Sequence, residues 1–154
     1  MARVALLISI LGLVAQEDRA KKAHEEATAW LVGLEKAELT FLQIWPEQEE
    51  KPGTFHGYPI LLQKPIKDGK IAGELRSLLA DRKTYSSLEH TCFDPGMGIR
   101  FKADGKESDL LICLSCQAIL AVKADGGKYW LLSDEGKDRL RKIYDAFVPA
   151  DPKK

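Results

Sequence analysis

The sequence lacks the features that most directly identify a function. It carries no excess charge, because 23 Lys and Arg residues balance 23 Asp and Glu residues, so no basic field is available for nucleic acid or anionic lipid. It has no apolar run of the roughly 20 residues that a membrane-spanning helix needs. It contains no phosphate-binding loop, no nucleophile elbow and no carboxylate pair assignable to acid–base chemistry. No nucleic-acid partner is therefore expected, and no enzyme class is indicated.

What remains is the composition of an ordinary folded domain. Of the 154 residues, 45% are hydrophobic and 30% are charged, which excludes a disordered, collagenous or polytopic membrane protein. This length fits one domain, and the sequence contains no linker or internal repeat that would divide it. We therefore expect a single domain over residues 16–154.

Residues 1–15 have the layout of a secretory signal. Arg3 supplies a positive charge, residues 4–14 form an uncharged apolar run, and small Ala15 precedes an abruptly polar segment, which is the pattern that signal peptidases recognise. We predict cleavage after Ala15, a secreted or periplasmic location, and no stable membrane span after removal. The alternative is a buried N-terminal strand or helix of a cytosolic fold.

Apolar periodicity and turn residues predict an α+β fold. Helices are expected at residues 17–34 and 71–83, and from an N-cap at Ser133 to about residue 147. Strands are expected at residues 37–45 and 60–66 and in a C-terminal three-strand meander of residues 98–103, 109–123 and 128–132, with a break or bulge near residues 113–116. The fold class is a mainly antiparallel sheet with helices packed on it and a terminal α-helix.

A hairpin at Asp104-Gly105 gathers the three cysteines. This turn places Arg100 opposite Asp109, a favourable cross-strand charge pair. Extending the same ladder places Cys92 opposite Gln117, so that one bulged residue would bring Cys92 directly opposite Cys116.

Four interpretations of this sulfur group stay open. A disulfide from Cys92 to Cys116 or Cys113 is favoured by the export signal, and three small buried thiols are the plainest alternative. Cys92, Cys113 and Cys116 could instead bind zinc with His90, His56 being a reserve ligand. A redox pair of Cys113 and Cys116 has the right spacing, but such motifs open a helix, and in a strand residues three apart point to opposite faces.

Phe55, His56 and Tyr58 form a candidate binding loop in a turn-rich segment. A histidine between aromatic residues is more often structural than functional. Apart from the zinc alternative, no cofactor is indicated by these residues.

Two segments, residues 92–100 (Cys-Phe-Asp-Pro-Gly-Met-Gly-Ile-Arg) and 109–116 (Asp-Leu-Leu-Ile-Cys-Leu-Ser-Cys), carry a resemblance. Together they resemble a family of small bacterial proteins, many of them exported, in which the first segment often reads Cys-Phe-x-Pro-Arg-His-Gly. Gly96 and Met97 stand here in the places of Arg and His, so a role of that histidine would be missing. The resemblance implies a small α+β domain built around a cysteine hairpin and brings no activity with it.

Together these patterns predict an exported α+β domain with a cysteine-bearing β-hairpin and a non-enzymatic, structural or binding role. The alternative is a zinc-binding or thiol-redox protein that uses the three cysteines.

Overall fold

Seven antiparallel strands form one sheet in the computed structural model, which describes residues 18–45, 53–88 and 92–148. The strands are β1 (Glu38–Ile44), β2 (Thr54–Phe55), β3 (Tyr58–Pro65), β4 (Met97–Ala103), β5 (Lys106–Cys113), β6 (Ala118–Lys123) and β7 (Gly126–Leu131). Their order across the sheet is β2-β3-β1-β4-β5-β6-β7. The helices are α1, described over residues 18–31, α2 (Gly69–Ala80) and α3 (Asp134–Phe147), with a 3-10 helix at Arg82–Thr84. This architecture confirms the predicted α+β class.

Two predicted features lie in segments that the structure does not describe. The signal at residues 1–15 and the candidate ligand His90 lie outside the described residues. Within the described residues, no helix is long and apolar enough to cross a membrane.

The helices pack on one face of the sheet and build the larger core with it. The strand side chains in this core include Leu39, Phe41, Met97, Ile99, Phe101, Leu110, Ile112, Ile119 and Trp130. The helix side chains include Ala27, Trp30, Leu75, Leu78, Leu79, Leu140 and Ile143. Full burial of each large apolar side chain contributes about 1.5–3 kcal/mol, so this core holds the sheet and the helices together.

The opposite face of the sheet, called the second face below, carries a smaller apolar cluster. The cluster consists of Leu42, Ile44, Phe55, Tyr58 and Leu111. Phe55 reaches it because the β2–β3 hairpin folds over the sheet and packs on Gly98, where an added Cβ would lie 2.6 Å from the ring. Both faces of the central strands are therefore buried.

The β4–β5 hairpin has the predicted register. Arg100 lies opposite Asp109 and Ala103 opposite Lys106. Asp104 and Gly105 both have positive φ, of 51° and 74°, which is the requirement of the type I′ turn that Asp-Gly favours. The predicted N-cap is also confirmed, because the Ser133 hydroxyl accepts a hydrogen bond from the N–H of Gly136 at 3.0 Å.

The apolar run predicted as one interrupted strand at residues 109–123 is two strands. Residues 114–117 reverse the chain, so that Cys113 lies opposite Ala118 and β5 pairs antiparallel with β6. The C-terminal meander therefore has four strands, β4 to β7, instead of three. The reversal is hard to recognise in the sequence because Leu-Ser-Cys-Gln has one turn-favouring residue, Ser115, and no Gly, Pro, Asn or Asp.

The strand predicted at residues 37–45 is β1, Glu38–Ile44. β1 ends at Ile44, and Trp45 is 48% exposed. Leu42 and Ile44 are buried instead, because β1 lies inside the sheet and needs apolar side chains on both of its faces.

Candidate functional site

His56 occupies an unusual backbone position on the second face. It forms the β2–β3 turn with Gly57, with φ values of 51° and 86°, while Phe55 pairs with Tyr58 on either side. A histidine in the left-handed region is uncommon and mildly strained. Its side chain contacts Asp109, with Nε2 lying 2.8 Å from Oδ2.

Asp109 is the centre of a polar group that also includes Arg100 and Glu107. The Arg100 guanidinium donates from Nε to Asp109 Oδ1 at 2.9 Å and from Nη2 to Oδ2 at 3.0 Å. Its Nη1 forms an ion pair with Glu107 Oε2 at 3.3 Å. His56, Asp109, Arg100 and Glu107 are called the His56 cluster below, and the Phe55 ring supports it from 5.2 Å beneath the guanidinium.

The electrostatics of the cluster keep Asp109 ionised. Burial alone would raise the pKa of Asp109, but hydrogen bonds from His56 and Arg100 outweigh burial and leave this pKa below its ordinary value. The hydrogen bond to Asp109 in turn raises the pKa of Arg100. Because Asp109 is an acceptor only, His56 donates through Nε2, and in the neutral ring Nδ1 is then an acceptor.

The sulfur atoms occupy another part of the second face. Cys92 and Cys116 form a disulfide with a Cα–Cα separation of 5.9 Å, within the range that such bonds need. The bond joins residues 92–96, which lead into β4, to the β5–β6 turn. Cys113 is a free, buried thiol. The three cysteines with Ser115 are called the sulfur cluster below.

The predicted convergence of the cysteines is therefore observed, but by a different route. The β4–β5 ladder ends at the pair Met97 and Ile112 and does not extend to Cys92. Cys116 instead reaches Cys92 from the turn after β5. The expectation that Cys113 and Cys116 lie in one strand is wrong, because β5 ends at Cys113 and Cys116 lies in the following turn, where its N–H donates to Cys113 Sγ at 3.0 Å.

The two clusters lie along one strand but are separate. Asp109, Leu111 and Cys113 alternate on β5 and so share a face, and four residues of a strand span about 13 Å. Of the predicted binding loop, Phe55 and Tyr58 are buried in the apolar cluster and only His56, with a side chain 34% exposed, reaches solvent. His56 contacts Asp109 and not the sulfurs. Within the described residues, no three His, Cys, Asp or Glu side chains are placed to hold a metal ion.

Sequence reasoning found the pair of Arg100 and Asp109 but missed its third member. His56 precedes Asp109 by 53 residues, and no local pattern connects them. The available signal was a buried-strand position occupied by an acid, since such a charge needs partners beyond one arginine.

The described part of the chain thus defines a disulfide-linked α+β domain. No protein-family model matches the chain, and no curated protein matches it. Among solved structures it is similar to a crystal structure described as "Putative Lipoprotein from Clostridium perfringens", with a TM-score of 0.49 and 10% sequence identity. The alignment covers 77% of this chain and 93% of the other.

Proposed function

We propose that this chain is an exported, non-enzymatic α+β domain with a structural or binding role. The disulfide between Cys92 and Cys116 carries the proposal, because disulfides persist in oxidising compartments and are rare in the cytosol. The signal-like layout of residues 1–15 also supports export, and this observation is independent of the disulfide. We also propose that the resemblance to small exported bacterial proteins reflects a shared domain, since both of its segments meet at this disulfide.

The disulfide suits a structural role. It closes a loop with a sequence separation of 24, for which loss of loop-closure entropy in the unfolded chain stabilises the folded state by roughly 3–4 kcal/mol. It also links residues 92–96, which precede β4, to the β5–β6 turn. Small exported domains commonly use such bonds to supplement a limited hydrophobic core.

The His56 cluster suits binding better than catalysis. Nucleophilic catalysis requires a hydroxyl or thiol within hydrogen-bond reach of the base, whereas the hydrogen-bond partner of His56 among the described residues is Asp109. Both oxygens of Asp109 and three nitrogens of Arg100 are already occupied. We propose that His56 Nδ1, held in place by Asp109, is the contact that this domain offers to a ligand.

Zinc binding is the alternative role for the cysteines. For the oxidised chain we propose no cofactor. A zinc site needs thiolate ligands, and Cys92 and Cys116 share a bond, so zinc would require the reduced protein. Metal analysis after dialysis against zinc separates the two forms. About one zinc per reduced chain supports the alternative, and none in either form removes it.

Export is tested by cell fractionation of the full chain in a bacterial host, with thiols trapped by acid and alkylation at lysis. We expect a processed chain outside the cytoplasm that carries the bond between Cys92 and Cys116. Leu7→Lys, which interrupts the apolar run, should retain the chain in the cytoplasm with reduced cysteines. The control variant Val32→Lys also introduces a lysine, at a residue that is 69% exposed, and it should be exported normally. An unprocessed cytoplasmic chain with three free thiols would overturn the proposal.

A further inference from the structure

The free thiol of Cys113 lies against the disulfide. Its Sγ accepts a hydrogen bond from the N–H of Cys116 at 3.0 Å. The Ser115 hydroxyl lies 3.3 Å from Cys113 Sγ and 3.9 Å from Cys116 Sγ, so one hydroxyl contacts both sulfurs. Thiol–disulfide exchange begins when a thiolate attacks a disulfide sulfur, and this turn holds the two reacting groups together.

Exposure distinguishes the three sulfurs. Cys113 and Cys116 are 0% and 1% exposed, whereas Cys92 is an exposed residue. External reagents therefore do not reach Cys113 in the folded protein, but an intramolecular attack needs no access from solvent. Cys92 is the sulfur that would be presented to the surface if its bond were broken.

The alternative bond is sterically reasonable. Cys113 and Cys116 are three residues apart, and the 3.0 Å hydrogen bond from the Cys116 N–H to Cys113 Sγ limits their Cα atoms to a separation of about 7 Å, given standard bond lengths. Disulfides bridge Cα separations of roughly 4.4–6.8 Å. A bond between Cys113 and Cys116 therefore requires only local adjustment of residues 113–117, while Cys92 moves away and Gly96 stays hydrogen-bonded to Ile44 and Ile112.

We propose that the sulfur cluster is a thiol–disulfide exchange site that releases Cys92 as a reactive surface thiol. The Cys113 proton leaves to water by way of the exposed Ser115 hydroxyl, and Cys113 Sγ attacks Cys116 Sγ. A bond forms between Cys113 and Cys116, the bond between Cys116 and Cys92 breaks, and Cys92 departs as a thiolate. One disulfide replaces another, so the step needs no oxidant or reductant.

The released Cys92 thiol would react with compounds that contain another disulfide. The Cys92 thiolate attacks one sulfur of that disulfide, forms a mixed disulfide, and displaces the second sulfur as a thiolate, again without net oxidation. In an exported protein, the natural compounds of this class are the exposed disulfides of other exported proteins and small-molecule disulfides. Oxidised glutathione serves as the probe. This activity goes beyond the proposed structural role and does not depend on how the chain is exported.

Peptide mapping of the native oxidised chain tests the exchange. The protein is incubated with iodoacetamide without denaturant, then unfolded, treated with an isotopically distinct alkylating reagent and digested with trypsin. Trypsin releases residues 84–100 with Cys92 and residues 107–123 with both other cysteines. The original bond therefore links two peptides, and the exchanged bond lies within one.

We expect the first label to accumulate on Cys92 together with an internal bond in residues 107–123, faster at higher pH because the thiolate attacks. Global unfolding gives a different product, namely label on Cys113 with the bond between Cys92 and Cys116 intact. Label on Cys113 alone, or on no cysteine, overturns the proposal.

The matched control is Cys113→Ser, with Cys113→Ala as a second variant should the first not fold. Neither variant can exchange, so Cys92 should remain unlabelled in both. Label on Cys92 without Cys113 contradicts the role of Cys113 as the nucleophile. In the arm with oxidised glutathione, the wild-type chain should gain one glutathione on Cys92, and its absence contradicts the proposed ligand class.

Discussion

His56 and Asp109 are 53 residues apart in the chain, yet His56 Nε2 lies 2.8 Å from Asp109 Oδ2. Strands β3, β1 and β4 separate β2 from β5 in the sheet. The contact therefore exists because the end of the β2–β3 hairpin, which includes the edge strand β2, curls over the second face. This fold-over buries Phe55, supports Arg100 and fixes the imidazole on a buried acid.

Removing the charge at the centre of the His56 cluster should destabilise the fold. Asp109→Asn weakens the bonds to Arg100 and His56, and hydrogen bonds to charged groups contribute roughly 1.5–3 kcal/mol. Since Arg100 is partly exposed and can recover water, we expect a loss of about 2 kcal/mol in the free energy of unfolding by urea. Glu107→Gln, at an exposed ion pair, should cost under about 1 kcal/mol. Equal losses in the two variants would contradict this account of the cluster.

The stability difference between wild type and Asp109→Asn should depend on pH. The pKa of Asp109 in the folded state lies below its ordinary 3.8, so the folded state binds that proton less tightly than the unfolded state. The stabilisation is therefore present above pH 4 and is lost as the pH falls through the folded-state pKa. The difference in unfolding free energy between wild type and Asp109→Asn should shrink from pH 7 to pH 3. An undiminished difference at pH 3 would show that the charge of Asp109 is not what stabilises the fold.

Two substitutions at position 56 should separate the energetic cost of backbone strain from that of the lost hydrogen bond. His56→Ala and His56→Gly both lose the bond to Asp109, but only glycine adopts a φ of 51° without steric cost. A left-handed conformation costs an L-residue about 1–2 kcal/mol. His56→Gly should therefore be the more stable variant by about 1 kcal/mol in urea unfolding. If His56→Ala is equally stable, the turn does not have this geometry in solution.

The contact between Gly98 and Phe55 should be intolerant of a methyl group. An added Cβ at Gly98 would lie 2.6 Å from a carbon of the buried ring, and such overpacking costs roughly 1–3 kcal/mol. Gly96→Ala is the matched control, because a Cβ there meets nothing within 4 Å. Thermal unfolding should show a lower midpoint for Gly98→Ala only. Similar midpoints for the two variants would mean that Phe55 does not cover Gly98.

What the sequence predicts here depends on whether the signal is local. The β4–β5 register follows from Asp104-Gly105, and the start of α3 follows from Ser133, because each is determined by residues close together in the chain. The reversal at residues 114–117 is not evident from the sequence because Ser115 is its one turn-favouring residue and both strands are apolar where they adjoin it. The hydrogen bond from His56 to Asp109 is not predictable from the sequence, because it depends on how the β2–β3 hairpin packs on the second face. No residue spacing in the sequence indicates this packing.

Cys92 and Cys116 are bonded, and Cys113 is a buried thiol. Mass spectrometry of a non-reduced tryptic digest, prepared from freshly purified chain after alkylation in denaturant, measures this directly. We predict that the main product joins residues 84–100 to residues 107–123 through Cys92 and Cys116, with one alkyl group on Cys113. Separate peptides with all three cysteines alkylated would show that the bond between Cys92 and Cys116 does not form.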